Sequence, residues 1–265
     1  MLRRIAWVLC FACLVLTGAM TFSCGSSPAV NPSCTGGPYN IVGDWQITVT
    51  ATGVPSVTGY GAIDSAGLAL FFDTSSSTGI GDTLQLPALT GACYFSGNVI
   101  SYPEPGTAGS SVTDSVEGNV TSASAITGTF SGVSSGTLSA ASFLPLSGSA
   151  TALSGARTGE MEGVADTLSL TFSPTTGNSM SFSGTDTSKC TITGTFTQVG
   201  SSNVFDVSYS VAGAAPCVAA TSSGIGFESN TDYFDLNNSA AGTYLYADLL
   251  QSSGAVVLEV FQPAD

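Results

Sequence analysis

Glu160 and Glu162, two positions apart in TGEMEGVAD, are the closest the sequence comes to acid–base chemistry. Alternate residues of a strand share a face, and glycoside hydrolysis runs on a pair of carboxyl groups. Hydrolases, however, flank the sugar from two sides, which neighbours on one strand do not do, and the nearby Arg157 suits a plain surface pair. DYFDLNN gathers the oxygens of Asp232, Asp235, Asn237 and Asn238, which suit calcium, but it lacks the spaced Asp/Asn and Gly of an EF-hand loop. It reads as a polar hairpin loop. The chain has no histidine, so a Ser-His-Asp triad is impossible, and it has no Ser-x-x-Lys or glycine-rich phosphate loop. Cys34, Cys93, Cys190 and Cys217 form no Cys-x-x-Cys pair and have no histidine to complete a zinc site. They read as the disulfide cysteines of a protein in an oxidising compartment. No catalytic residue, metal ligand or cofactor is expected, and the chain reads as a non-enzyme.

The elements that carry these residues are strands. In WQITVTAT, Trp45, Ile47, Val49 and Ala51 alternate with Gln46, Thr48, Thr50 and Thr52. TLSLTFS, NSMSFSG, CTITGTFT and NVFDVSYSV repeat the pattern. A period of two marks strands with one buried and one solvated face, as in antiparallel sheets. GTAGSS, SPTTGN, QVGSSN and QSSG punctuate the runs as turns. Roughly sixteen to eighteen short strands are expected, with no helix of regular length. The fold class is therefore all-β, an antiparallel meander closing as a barrel or a sandwich. Thr191, Thr193, Thr195 and Thr197 form a ladder on one strand face. Such a row is mostly a neutral solvated surface, and it also suits a glycan.

Charge narrows the partners. The chain carries 18 acids against four basic residues, for a net charge of −14. Arg3 and Arg4 lie in the leader, so only Arg157 and Lys189 remain beyond it. A surface of this kind repels nucleic acid, which is excluded as a partner.

Residues 1–23 have the form of a signal peptide: MLRR, then IAWVLCFACLVLTGAMTF, then Ser23. Ser23–Cys24 resembles the end of the lipobox of bacterial lipoproteins, although Thr21 and Phe22 stand where that pattern has an aliphatic and a small residue. The resemblance implies lipidation at Cys24 and anchoring of the chain to a membrane through the lipid. Gly25 after the cysteine implies sorting to the outer membrane, at the cell envelope or surface. Residues 24–38, with three prolines, read as a flexible, disordered tether, and residues 39–265 as the all-β domain. Within it, 147–159 (SGSATALSGARTG) either divides two lobes or forms an ordinary loop.

CYFSGNV at Cys93 and CTITGTF at Cys190 echo each other, as do ITGTFS at Ile126 and ITGTFT at Ile192. Four cysteines allow three pairings. If the echo is a duplication, Cys93 and Cys190 are equivalent and each bonds its own partner, giving Cys34–Cys93 and Cys190–Cys217. Gly43-x-Trp45 on the first strand resembles the start of lipocalin-like (calycin) barrels and implies a barrel with an apolar ligand cavity. The length exceeds a single eight-stranded barrel. Asp64, Asp82, Asp114 and Asp166 each precede Ser or Thr and then an apolar residue, which resembles an O-glycosylation pattern of some bacterial envelopes. Three functional expectations follow. The first is an envelope-anchored lipoprotein with a non-catalytic binding or surface-structural role. The second is a lipocalin-like carrier of an apolar small ligand, and the third is a carbohydrate-active hydrolase.

Overall fold

A strand with one apolar face must bury it. The chain achieves this by closing sixteen strands into two barrels, as seen in a computed structural model that describes residues 37–74, 81–103, 110–142, 154–161, 166–233, 242–251 and 254–263. The first barrel comprises β1 (Gly43–Ala51), β2 (Val57–Ile63), β3 (Ala69–Asp73), β4 (Thr83–Leu86), β5 (Tyr94–Tyr102), β6 (Val112–Ser122), β7 (Ala125–Ser131) and β8 (Ser135–Ser142). The second comprises β9 (Gly155–Met161), β10 (Asp166–Pro174), β11 (Ser179–Thr185), β12 (Thr191–Gln198), β13 (Val204–Ala212), β14 (Ala220–Ser229), β15 (Gly242–Gln251) and β16 (Gly254–Pro263). Within each barrel every strand pairs antiparallel with the next. The rings close through β1 with β8 and β9 with β16. The described residues contain no helix.

Register fixes the two faces of each wall. Trp45, Ile47, Phe71, Phe95, Val116 and Leu138 belong to the packed interior of the first barrel. In the second, Phe172, Phe182, Phe196 and Phe205 touch in sequence, with ring centroids 5.4, 5.3 and 6.2 Å apart. Eight strands enclose a space that side chains fill, so large residues need small neighbours across the strand. Phe95 pairs with Gly118, Phe130 with Gly136, and Phe182 with Gly194. A Cβ built at each of these glycines would sit 2.4, 2.7 and 2.2 Å from the partner ring. The glycine gives the phenylalanine room to lie across the next strand.

The sequence echoes fall on strands of different order in the two barrels. The Cys93 and Cys190 segments lead into the fifth strand of one barrel and the fourth of the other, while the Ile126 segment is the seventh. The echoed residues therefore occupy different places in the two rings. Ile126–Phe130 and Ile192–Phe196 share an inward Ile-x-Gly-x-Phe pattern, whereas Cys93 leads into Phe95-x-Gly97-x-Val99.

A third apolar cluster joins the barrels. β14 and β15 lie against β2 and β3, and there alternation stops: Gly224–Ser229 and Tyr244–Leu249 are buried throughout. Tyr60 stacks on Tyr233 at 4.6 Å, and Phe72 on Phe227 at 5.7 Å. With Leu70 and Tyr246, these residues form the centre of the seam. Burying each such side chain stabilises the fold by about 1.5–3 kcal/mol.

Candidate functional site

The seam carries the most unusual chemistry of the molecule, because buried carboxyl groups make its polar bridges. Asp44 and Thr83 stand on the outer faces of β1 and β4, opposite the inward Trp45 and Leu84, so both point at the second barrel. Asn203, just before β13, donates its side-chain N–H to Asp44 Oδ2. The other oxygen, Asp44 Oδ1, is buried with no hydrogen-bond partner among the described residues. Thr83 donates to Asp248 Oδ1 at 3.5 Å, and both residues are buried.

Burial dominates the acidity of these groups, since a charge loses its hydration there. Asp44 is pushed up to about 7 by burial, opposed by the Asn203 hydrogen bond and assisted by the Glu228 charge. Glu228, on β14, is pushed up to about 7 by burial. Burial also holds Asp248 well above the usual carboxylate range, with the Thr83 bond opposing. Asp206 on β13 is raised by burial and then by the charge of Asp64, which lies on the first barrel.

A second cluster holds the Tyr233 ring against Tyr60. Tyr246 Oη accepts the Tyr233 backbone N–H at 2.7 Å. It also lies 3.0 Å from the Thr231 carbonyl and 2.6 Å from Glu259 Oε2. Tyr246 is the donor toward both acceptors, so its one hydroxyl proton is shared between the Thr231 carbonyl and Glu259 Oε2. Asp232 is hydrogen-bonded to Glu259 as well, and two carboxyls bond each other only while a proton lies between them. Glu259 is pushed up to about 8, chiefly by burial, with the Tyr246 bond opposing and Asp232 and Glu160 adding. Burial pushes Tyr233 up to about 12 and Tyr246 further.

Of the remaining candidates, Glu160 borders the Glu259 cluster. Glu160 is exposed on β9, opposite Thr167 and Glu259 in register. Arg157 is on the other face of β9, opposite Leu170, so the two do not form a same-face pair. Glu162, Asp235, Asn237 and Asn238 lie outside the described residues, as do Cys24 and Cys34. Among the described residues no three His, Cys, Asp or Glu side chains are grouped to hold a metal. Cys190 and Cys217 are joined. Cys93 is disulfide-bonded to a partner outside the described residues.

Two of the Asp-Ser/Thr positions anchor turns. Asp64 Oδ1 accepts the Leu68 N–H, and Asp114 accepts the Val133 and Ser134 N–H groups. Trp45 Nε1 donates to the Ile41 carbonyl at 2.8 Å, which satisfies its polar atom inside the barrel.

The Thr ladder is part of a larger surface. Thr171, Ser183, Thr193, Ser210 and Thr221 are register neighbours in one row across β10–β14. Ser173, Ser181, Thr195, Ser208 and Ser223 form the next row. Neither row contains a charge. Thr195 and Ser208 share a hydrogen bond at 2.8 Å.

Sequence reasoning missed Asp44, Glu228, Asp248 and Glu259. The signal lay in YLYADLLQ and VVLEVF, where an acid interrupts a run apolar on both faces. Such a run implies burial on both sides, so the acid must be buried with it. Comparison with known proteins finds no matching family model, no similar curated protein and no similar solved structure.

Proposed function

We propose that the protein is an exported lipoprotein, anchored to the cell envelope through a lipid on Cys24, with a non-catalytic binding or surface role. The observation that carries the binding role is the pair of charge-free hydroxyl rows across β10–β14. Hydroxyls 4.7–4.9 Å apart across strands can exchange hydrogen bonds with a neutral, hydroxyl-rich partner such as a glycan. The barrel walls support a body outside the bilayer: they are apolar within and hydroxylated without, the reverse of a membrane-spanning barrel. The leader and the lipobox-like TFSC support export and anchoring.

Palmitate labelling in a bacterial host tests the anchor. Wild type is expected to take up label and partition with membranes, and Cys24→Ala to do neither. Label persisting in Cys24→Ala overturns the anchor. Retention on an immobilised neutral polysaccharide, lost on placing lysines at Thr193 and Ser208, is the expected sign of the binding face.

A carrier of an apolar ligand is the second reading, favoured by the closed eight-stranded rings. The touching phenylalanine rings of the second barrel weigh against it, because they occupy the space a ligand would need. Native mass spectrometry of the protein from its own host decides, since a carrier arrives with a bound small molecule.

A further inference from the structure

We infer that the seam between the barrels is a proton-operated clasp, closed while Asp44, Glu228 and Glu259 carry protons and loosened when they lose them. The two barrels touch through aromatic rings and through polar bridges that each contain a carboxyl group. Asn203 of the second barrel bonds Asp44, and Glu228 and Tyr233 lie within reach of its charge. Facing Glu259 are Tyr246 from β15, Asp232 from the β14–β15 connection and Glu160 from β9. Asp64 and Asp206 add a like-charge pair between the barrels. Among the described residues, no Lys or Arg charge acts on Asp44, Glu228 or Glu259. Lys189 is exposed at the turn before β12, and Arg157 is on β9.

Ionisation therefore meets like charges and buried surface, opposed by the bonds that Asn203 and Tyr246 donate. Loss of the Glu259 proton breaks its bond to Asp232 and makes Glu259 the stronger rival of the Thr231 carbonyl for the single Tyr246 proton. That contest loosens the connection that presses Tyr233 onto Tyr60. Loss of the Asp44 proton leaves a buried anion whose Oδ1 has no donor, beside Glu228.

The sign follows from linkage. These acids lose protons at the ordinary carboxylate pH when unfolded, and only near 7–8 when folded. Between those values the unfolded chain binds fewer protons, so stability falls as pH rises and levels off above the folded values.

Hydrogen exchange of the chain from residue 24 onward, corrected for intrinsic rates, tests the clasp at about pH 5 and about pH 8. Amides of β2, β3, β14 and β15 are expected to lose about tenfold or more of their protection, the change that one pKa unit carries. Those of β6, β7, β11 and β12 should change less. Equal change in both sets overturns the proposal. In the triple variant Asp44→Asn, Glu228→Gln and Glu259→Gln, neutral groups of the same shape replace the acids, and seam protection at pH 8 should match that at pH 5. A retained pH slope overturns it. Glu259→Gln alone, tested from the other end of the seam, should flatten the slope in the peptide holding Tyr233, and an unchanged slope there overturns the role of Glu259.

Discussion

The two barrels share one topology and reach it with different materials. The first is filled by Trp45 and mainly aliphatic residues, and one end is tied by Asp114 to the β7–β8 turn. The second is filled by touching phenylalanines, and its outer wall across β10–β14 carries two rows of hydroxyls with Asp206 in the row beside them. The outer wall of the first mixes hydroxyls with Glu117, Asn98 and Asn119. The buried acids differ in use: Asp64 and Asp114 of the first barrel anchor turns, whereas Asp44 and, on the second barrel, Asp248 make the bridges of the seam. An eight-stranded meander thus constrains volume and alternation but not which residues supply them. What the barrels share at matched register is the phenylalanine laid over a glycine.

Substitution in one core gives the largest expected effect. Phe196→Ala removes a fully buried ring from the second barrel and should cost about 3–5 kcal/mol. Trp45 is the sole tryptophan from residue 24 onward, so its fluorescence reports the first barrel. Through the aromatic seam, its unfolding transition is expected to fall together with the loss of far-ultraviolet dichroism at pH 5. A Trp45 transition left in place would show that the barrels melt separately.

A middle-sized effect compares the glycine device across barrels. The Cβ of Gly194→Ala would lie 2.2 Å from both the Phe182 ring and the Ser208 carbonyl oxygen. That of Gly118→Ala would lie 2.3 Å from the Thr127 carbonyl and 2.4 Å from the Phe95 ring. Each should lose about 1–3 kcal/mol in denaturant titrations. Losses of similar size would mean the two cores use the pair alike, and a neutral result at either would confine the device to the other barrel. The smallest effect belongs to the hydroxyl face. Thr193→Lys touches no core and should change stability by no more than about 0.5 kcal/mol, so any loss of polysaccharide retention would come from the surface itself.

Much of the wall was legible in the sequence. Trp45-x-Ile47 and Leu168-x-Leu170-x-Phe172 alternate and are buried inward, because side-chain direction on a strand is a local property. The seam was less so. Phe227, Tyr244 and Tyr246 point away from their own barrel's interior, and only contact with Phe72 and Tyr60 explains why aromatic residues face outward. The carboxyls were hidden for the same reason: an acid such as Asp44 in GDWQ reads as solvated until another surface covers it.

The sequence by itself determined the strand faces, the turns, the shortage of cations and the all-β class, since each follows from residue type and a period of two. Tertiary structure alone decided that sixteen strands close as two rings rather than one sandwich. It also decided that β2 and β3 meet β14 and β15, and that Asp44, Asp248 and Glu259 lose their water. Ring closure and burial depend on which distant strands pair and what covers them, and no local pattern encodes a partner some 160 residues away, as Asn203 is from Asp44.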